Sequence, residues 1–297
     1  MQDIMGVGDI AFPNLGLYLK DVPQGFTVFG FYISLYGVII AIGMLLGIAI
    51  VAQLAKKTGQ NPDDYWDFAI YGVIFGLIGA RIYYVVFEWD AYKDNLLEIF
   101  HVRNGGMAIY GGVIGAFITL FVWCRIKKKD PRMIGDTAMA GLLLGQIIGR
   151  WGNFTNREVF GEYTDGLLAM RIPIEAVRDK TDITENIAAH IAEGTNYIQV
   201  HPTFLYESAL NLLLLILVLL YLRHKKFQGE ICLMYLGGYG IIRFFVEGIR
   251  TDQLKLPGTG IAVSQMLGIL LFIAAVAVDA GVRIWLRRKG STEATQN

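Results

Sequence analysis

Seven apolar runs separated by shorter polar stretches set the pattern of this 297-residue chain: Phe31–Leu54, Tyr65–Phe87, Gly105–Cys124, Ile134–Trp151, Phe204–Leu222, Ile231–Glu247 and Ile261–Trp285. A bilayer core of about 30 Å takes about 20 apolar residues of helix, so each run predicts a membrane-spanning helix. The fourth and sixth are the shortest and the richest in polar residues, which a span tolerates where it lines a cavity rather than lipid. The expected fold is therefore an all-α polytopic integral membrane protein of about seven transmembrane helices, one domain over 1–297. The longest polar stretch, 162–201, predicts a small extracytoplasmic head between helices four and five, with a short helix around Ile183–Glu193. A loop of that length inside a compact domain is usually functional. The stretch 290–297 reads as a disordered cytoplasmic tail. Met1–Gln24 lacks a basic n-region and a short apolar h-region, so it reads as an ordered exterior segment rather than a cleaved signal.

Composition supports the membrane class: 54% of residues are hydrophobic and 18% charged. A net charge of zero excludes a broadly basic nucleic-acid binder. The four histidines are scattered without metal-ligand spacing, and the two cysteines make no disulfide framework. Basic residues set the orientation. Lys56 and Lys57, the run from Arg125 to Arg132, Arg223 to Lys226, and Arg283 to Lys289 crowd one side of the predicted spans. Lys20, Lys93, Arg103, Arg250 and Lys255 lie on the other, where Glu88, Asp90, Asp94 and Glu98 dilute them. The first side is expected to be cytoplasmic, which places the N-terminus outside and the C-terminus inside.

Helix rise places polar residues of six spans in one layer, roughly 5–10 Å below the outer surface. Tyr36, Arg81, Tyr110, Arg150, Glu207, Arg243 and Glu247 all fall there. Each has a plainer reading alone. Arg243 and Glu247 are four residues apart and neutralise one another. Arg81 snorkels, and Tyr36, Tyr206 and Tyr239 sit in an aromatic belt. His201-Pro202 is a turn before a helix, and the glycines serve close helix packing. Three arginines at one depth nevertheless suit a phosphate, because a guanidinium binds it bidentately and keeps its charge when desolvated. Asn153 and Asn156 add uncharged donors for sugar or glycerol hydroxyls. The residues thus point to an outward-facing phospholipid headgroup site, used by an enzyme or by a phospholipid transporter or flippase. A transporter needs polar groups continuing to the cytoplasmic side, and the inner halves of the spans are almost wholly apolar. Clustered aspartates of a CDP-alcohol phosphotransferase and paired His and Arg motifs of a lipid phosphatase are not found.

The stretch Gly149–Gly161 resembles the signature of the prolipoprotein diacylglyceryl transferases, G-R-x-G-N-F-x-N-x-E-x-x-G. Gly149, Arg150, Gly152, Asn153, Phe154, Asn156, Glu158 and Gly161 occupy its fixed positions, and Thr155 stands where the family usually has an apolar residue. Further motifs match in order: Tyr36-Gly37, the glycine motif Gly105–Gly112, His201–Glu207, and Tyr239–Glu247 with Arg250 and Asp252. The resemblance covers roughly 31–288. It implies transfer of the diacylglyceryl group of phosphatidylglycerol to the lipobox cysteine of a prolipoprotein signal peptide at the outer leaflet of the bacterial cytoplasmic membrane. No metal or dissociable cofactor is implied. Arg150 and Arg243 would hold the phosphate, with Tyr110 and Tyr36 lining the reacting centre. Asn153, Asn156, Glu158 and Gly161 would position the headgroup, and Arg81, His201, Glu207, Tyr239 and Glu247 would complete the binding layer. Some members carry His at the position of Tyr110, whose phenol is a poor general base at neutral pH. The residues leave the proton acceptor unassigned.

Overall fold

The computed structural model describes residues 4–102, 105–256 and 258–295, with side chains through Lys289. Arg103 and the last two residues of the expected tail lie outside the described residues. Chain contacts group the protein into two compact units, Met1–Gly47 with Leu142–Lys226 and Glu230–Asn297, and Ile48–Gly141 with Phe227–Gly229.

The long helices are α1 (Leu35–Lys57), α2 (Pro62–Phe87), α3 (Ile109–Lys127), α4 (Pro131–Asn156), α6 (Thr203–Tyr221), α7 (Glu230–Gly248) and α8 (Val263–Thr295). Six of them, all but α4, are long and apolar enough to cross a membrane, and at most 39% of any such window is buried in protein. Most of each window is therefore open at the protein surface, and its exposed side chains are largely apolar, as suits a helix in contact with lipid. The expected fourth span, Ile134–Trp151, lies within the 26-residue helix α4, which is too polar to qualify by composition. Apart from Arg132 near its start, its polar side chains are at least partly covered by protein; Leu142 and Trp151 are the other exposed residues along it. The expected tail is helical in its described backbone, through Thr295.

The all-α expectation needs correcting in the head. Strands β1 (Ile10–Phe12), β2 (Leu17–Leu19), β5 (Met170–Pro173) and β6 (Tyr197–Val200) form an antiparallel sheet in the order β2-β1-β5-β6. The N-terminal segment thus supplies half of the head, pairing Ala11 with Arg171. Ile10, Phe12, Met170, Ile172, Ile198 and Val200 pack with Phe160, Val177, Ile187 and Phe204 into one core. The expected helix around Ile183–Glu193 is shorter, α5 (Glu185–Ala189), with Thr184 capping it through a bond from Ile187 N. A hairpin of β3 (Gly25–Val28) and β4 (Phe31–Ser34) precedes α1 directly. Its two-residue turn, Phe29-Gly30, has positive φ at both positions, as a type I′ turn demands.

Glycines set the closest helix contacts within each unit. A Cβ on Gly240 of α7 would lie 2.4 Å from Gly268 O of α8, and one on Gly111 of α3 would lie 2.3 Å from Gly79 O of α2. These pairs let backbones touch where larger residues would hold them apart. In the second unit, Asn61 caps α2, Pro62 follows it, and Asp63 and Asp64 fill the first turn. Lys127 and Lys129, at and after the end of α3, pair with Asp67 and Asp64, both at 2.6 Å.

Candidate functional site

The ends of α4, α6 and α7 nearest the head carry a chain of alternating charges. Arg150 Nη2 donates to Glu207 Oε1 at 2.6 Å, and Arg243 Nη1 reaches Glu207 Oε2 at 3.3 Å. Arg243 also pairs with Glu247, one turn on along α7. Arg250 reaches the same Glu247 oxygen at 3.2 Å and holds Asp252 through Nε and Nη2 at 2.8 and 2.6 Å. Tyr239 Oη lies 3.4 Å from Glu207 Oε1. The side chains of Glu207 and Glu247 are 1% and 3% exposed, while those of Arg150 and Arg243 keep 20% and 15%. The carboxylates are sealed and the guanidiniums still open, an arrangement that holds arginines in place for an anion to reach.

The exit of α4 makes a second network. Asn153 and Asn156 donate to one oxygen of Glu158, at 3.0 and 3.3 Å, and Arg178 of the head pairs with the other. Arg157 and Val159 flank Glu158 with φ of 53° and 58°, a conformation that costs a non-glycine residue energy, most of all a β-branched one. Buried Arg157 anchors this turn to the N-terminal segment through Gly8 O and Val22 O, both at 2.6 Å. Gly161 N donates to His201 O at 2.9 Å, and a Cβ on Gly161 would stand 2.7 Å from Ile249 O. Gly161 is thus where the signature segment meets the chain after α7. His201 Nδ1 lies 3.1 Å from Tyr206 Oη, and burial, opposed by Glu162, holds its pKa below the ordinary imidazole value. Tyr36 lays its ring on Gly152, where a Cβ would be 2.7 Å from Cδ2.

Two cavities flank the Glu158–Arg178 pair. One of about 600 Å³ is lined by Gln24, Tyr32, Ser34, Asn156, Arg157 and Arg178 among others. Another of about 330 Å³ is lined by Glu158, Val159, Arg178, Asp179, Asp182 and Asp252, so the asparagine–glutamate network and the end of the charge chain share one wall. Asp182 has its pKa raised to about 6 by burial, then by Asp252 and Asp179, with Arg250 opposing. Among the described residues no three His, Cys, Asp or Glu side chains are grouped to hold a metal ion.

Arg81 and Tyr110 belong to the second unit. Arg81 is buried, and four of its donor contacts go to carbonyls: Nε to Ile99 at 2.7 Å, Nη1 to Gly105 and Gly106 at 3.0 and 2.7 Å, and Nη2 to Glu98 at 2.7 Å. Its guanidinium also lies over the Tyr92 ring. The geometry makes Arg81 a clamp on the loop before α3 rather than the open phosphate ligand expected from its depth. Tyr110 opens α3, with its ring 6.5 Å from that of Tyr83.

Arg157 and Arg178 were not among the residues singled out from sequence. Arg157 fills a variable letter of the signature, and Arg178 lies in a loop without a motif.

The family model described as prolipoprotein diacylglyceryl transferase matches residues 23–280. The chain belongs to the prolipoprotein diacylglyceryl transferase family. It is 41% identical over 255 residues to the phosphatidylglycerol–prolipoprotein diacylglyceryl transferase of Finegoldia magna, covering 86% of this chain and 93% of the relative. The enzyme of the same name from Clostridioides difficile is 39% identical over 246 residues, 82% of this chain and 90% of its own. That from Staphylococcus haemolyticus is 40% identical over 256 residues, 86% of each chain. The charge chain and the Glu158 network therefore lie within the region matched by the family.

Proposed function

We infer that this chain transfers the diacylglyceryl group of phosphatidylglycerol to the cysteine thiol of a prolipoprotein. The observation that carries the reading, beside family membership, is the pair of partly open guanidiniums, Arg150 and Arg243, sharing buried Glu207. In the reaction the thiol sulfur bonds to the terminal glycerol carbon of the diacylglyceryl group. The bond from that carbon to the phosphate oxygen breaks, and the thiol proton passes to a base or to solvent. Glycerol phosphate leaves with one more negative charge than the diester carried.

Stabilising that added charge is the task of donors preorganised in a low-dielectric site. Arg150 and Arg243 take this part, with Glu207 and Glu247 fixing their orientation. Asn153, Asn156 and Glu158 offer donors and an acceptor to the headgroup glycerol hydroxyls. Tyr36 and Tyr239 supply hydrogen bonds around the reacting centre, and Gly161 and His201 hold the backbone there. Arg81 acts as a positioning residue for the loop before Tyr110. The incoming thiol is that of a lipobox cysteine in the signal peptide.

Seven membrane passes, with the head on the outer face of a bacterial cytoplasmic membrane, are consistent with the basic residues at the opposite helix ends. Protein cover on α4 supports a crossing by so polar a helix. A phospholipid transporter has no support among the relatives named above, all of which carry the transferase name.

The test is incubation of the purified chain with phosphatidylglycerol vesicles and a cysteine-containing signal peptide, following peptide mass and glycerol phosphate. Peptide-dependent release with a matching mass gain is expected. Release without peptide would mean a lipase, and no release would remove the assignment.

A further inference from the structure

Three helices repeat their polar residues one turn further from the head. Arg150, Glu207 and Tyr239 form part of the ionic tier, and four residues along each helix stand Gln146, Asn211 and Tyr235. A four-residue step moves about 6 Å along a helix. In α7, Tyr235 stacks on Tyr239 with rings nearly parallel and centroids 5.6 Å apart, so the tiers are adjacent. Gln146 Nε2 of α4 donates to Tyr235 Oη of α7 at 2.8 Å.

This second tier is incompletely paired. Gln146 Oε1 and both amide atoms of Asn211 are buried without a hydrogen-bond partner from the protein. Asn211 is 0% exposed, yet all its neighbours from Leu210 to Leu220 are Leu, Ile or Val. A leucine would fill that position without leaving a carboxamide unpaired. Buried polar groups without partners are uncommon enough to require an explanation, and inside a membrane span the first to consider is function.

We propose that Gln146, Asn211 and Tyr235 form a subsite for an ester carbonyl of the diacylglyceryl lipid. The inference rests on the functional reading above and deepens it. A lipid whose phosphate meets Arg150 and Arg243 carries its acyl groups through ester oxygens on the next glycerol carbons, so its ester carbonyls lie immediately beyond, towards the acyl chains. One helical turn separates the tiers, comparable to one glycerol unit. An ester carbonyl is an acceptor only, and the tier supplies Asn211 Nδ2 and the Tyr235 hydroxyl as donors, with Gln146 fixing the latter. Closure from water suits this role, since a carboxamide open to solvent would already be hydrated.

The experiment compares phosphatidylglycerol carrying ester-linked chains with its diether analogue, which lacks both carbonyls, using the full chain in vesicles with signal peptide. The wild type is expected to favour the ester lipid in kcat/KM by about tenfold, the size of one well-placed hydrogen bond. Asn211→Leu is expected to bring the ester-to-ether ratio close to one. Gln146→Leu, on a different helix, repeats the measurement should Asn211→Leu fail to insert. A wild type without ester preference, or variants that keep the wild-type ratio, overturns the proposal; the latter leaves the tier a place for trapped water only. A wild type that transfers from neither lipid overturns the functional reading itself and this subsite with it.

Discussion

Arg150 and Glu207 stand 57 positions apart in sequence and meet at 2.6 Å, joining the last turns of α4 to the first of α6. The other oxygen of Glu207 faces Arg243 at 3.3 Å. One buried carboxylate therefore aligns both guanidiniums, and each keeps part of its surface open. Replacing Arg150 by Ala removes a donor to developing phosphate charge, a change that typically lowers kcat by about 100–1000-fold. Arg150→Lys keeps the charge but loses the fork, and is expected to stay well below wild type. Transfer of labelled lipid to a lipobox peptide, read beside membrane insertion, checks both. Near-wild-type transfer by Arg150→Ala would remove Arg150 from the mechanism.

Arg243, Glu247 and Arg250 are linked through one carboxylate oxygen of Glu247. Changing Arg243→Gln leaves Glu247 with Arg250 alone, and Glu247→Gln leaves Arg243 with Glu207 alone, whereas the double variant removes both charges. A double-mutant cycle on thermal stability is expected to give a coupling of roughly 0.5–3 kcal/mol. Additive effects would mean that the two side chains do not share an ion pair in the folded protein.

Arg81 separates a structural part from a binding one. With its guanidinium engaged by the carbonyls of Glu98, Ile99, Gly105 and Gly106, Arg81→Ala should loosen that loop. Faster amide exchange at 98–102 and 105–106 is expected, with thermal stability down by about 1–3 kcal/mol for the unmet carbonyls. Unchanged exchange accompanied by a raised KM for phosphatidylglycerol would restore Arg81 as a lipid ligand.

Much of this organisation was legible because it is periodic or local. The apolar runs marked the spans, and the i,i+4 spacing of Arg243 and Glu247 marked one ion pair. The head was not legible as a sheet. Its strands are three or four residues long, and β1 pairs with β5 across more than half of the chain's length, so no local pattern announces the partner. Depth along a helix gives no direction for the Arg81 guanidinium, and the receiving carbonyls come from an irregular loop. Arg157 escaped notice because its task depends on a left-handed turn and on Gly8 and Val22, which spacing alone does not bring together. Asn211 was passed over within a leucine-rich run. Its meaning depends on which face of α6 is buried.

Asp182 gives the head a pH dependence. Its pKa rises from 3.8 to about 6, chiefly through burial and then through repulsion by Asp252 and Asp179. A raised carboxylate pKa means that folding disfavours the charged form. The penalty is fully present above about pH 6, shrinks as pH falls towards 4, and is absent once folded and unfolded chains are both protonated. Asp182→Asn should therefore raise the melting temperature of the detergent-solubilised protein at pH 7.5 and leave it nearly unchanged near pH 3.5. An equal shift at both values would trace the effect to packing instead of ionisation.

Gly161 offers the most direct check on how the signature is held. An added methyl would stand 2.7 Å from Ile249 O and 2.9 Å from His201 Cβ. Neither neighbour is the loose end of a long side chain, and Gly161 N must also keep its 2.9 Å bond to His201 O. Relief therefore requires moving the segment that carries Arg250 and Asp252 away from the one that carries Glu158. Gly161→Ala is expected to cost about 1–3 kcal/mol of stability, the usual range for overpacking. Transfer should fall further than stability alone explains, because a displacement of about 1 Å in a positioning element can cost about 100-fold. Gly166→Ala is the control: it meets only Thr164 Oγ1 at 3.3 Å in the same loop and should be mild. A Gly161→Ala protein with wild-type melting and wild-type transfer would show that the two segments are not held this closely.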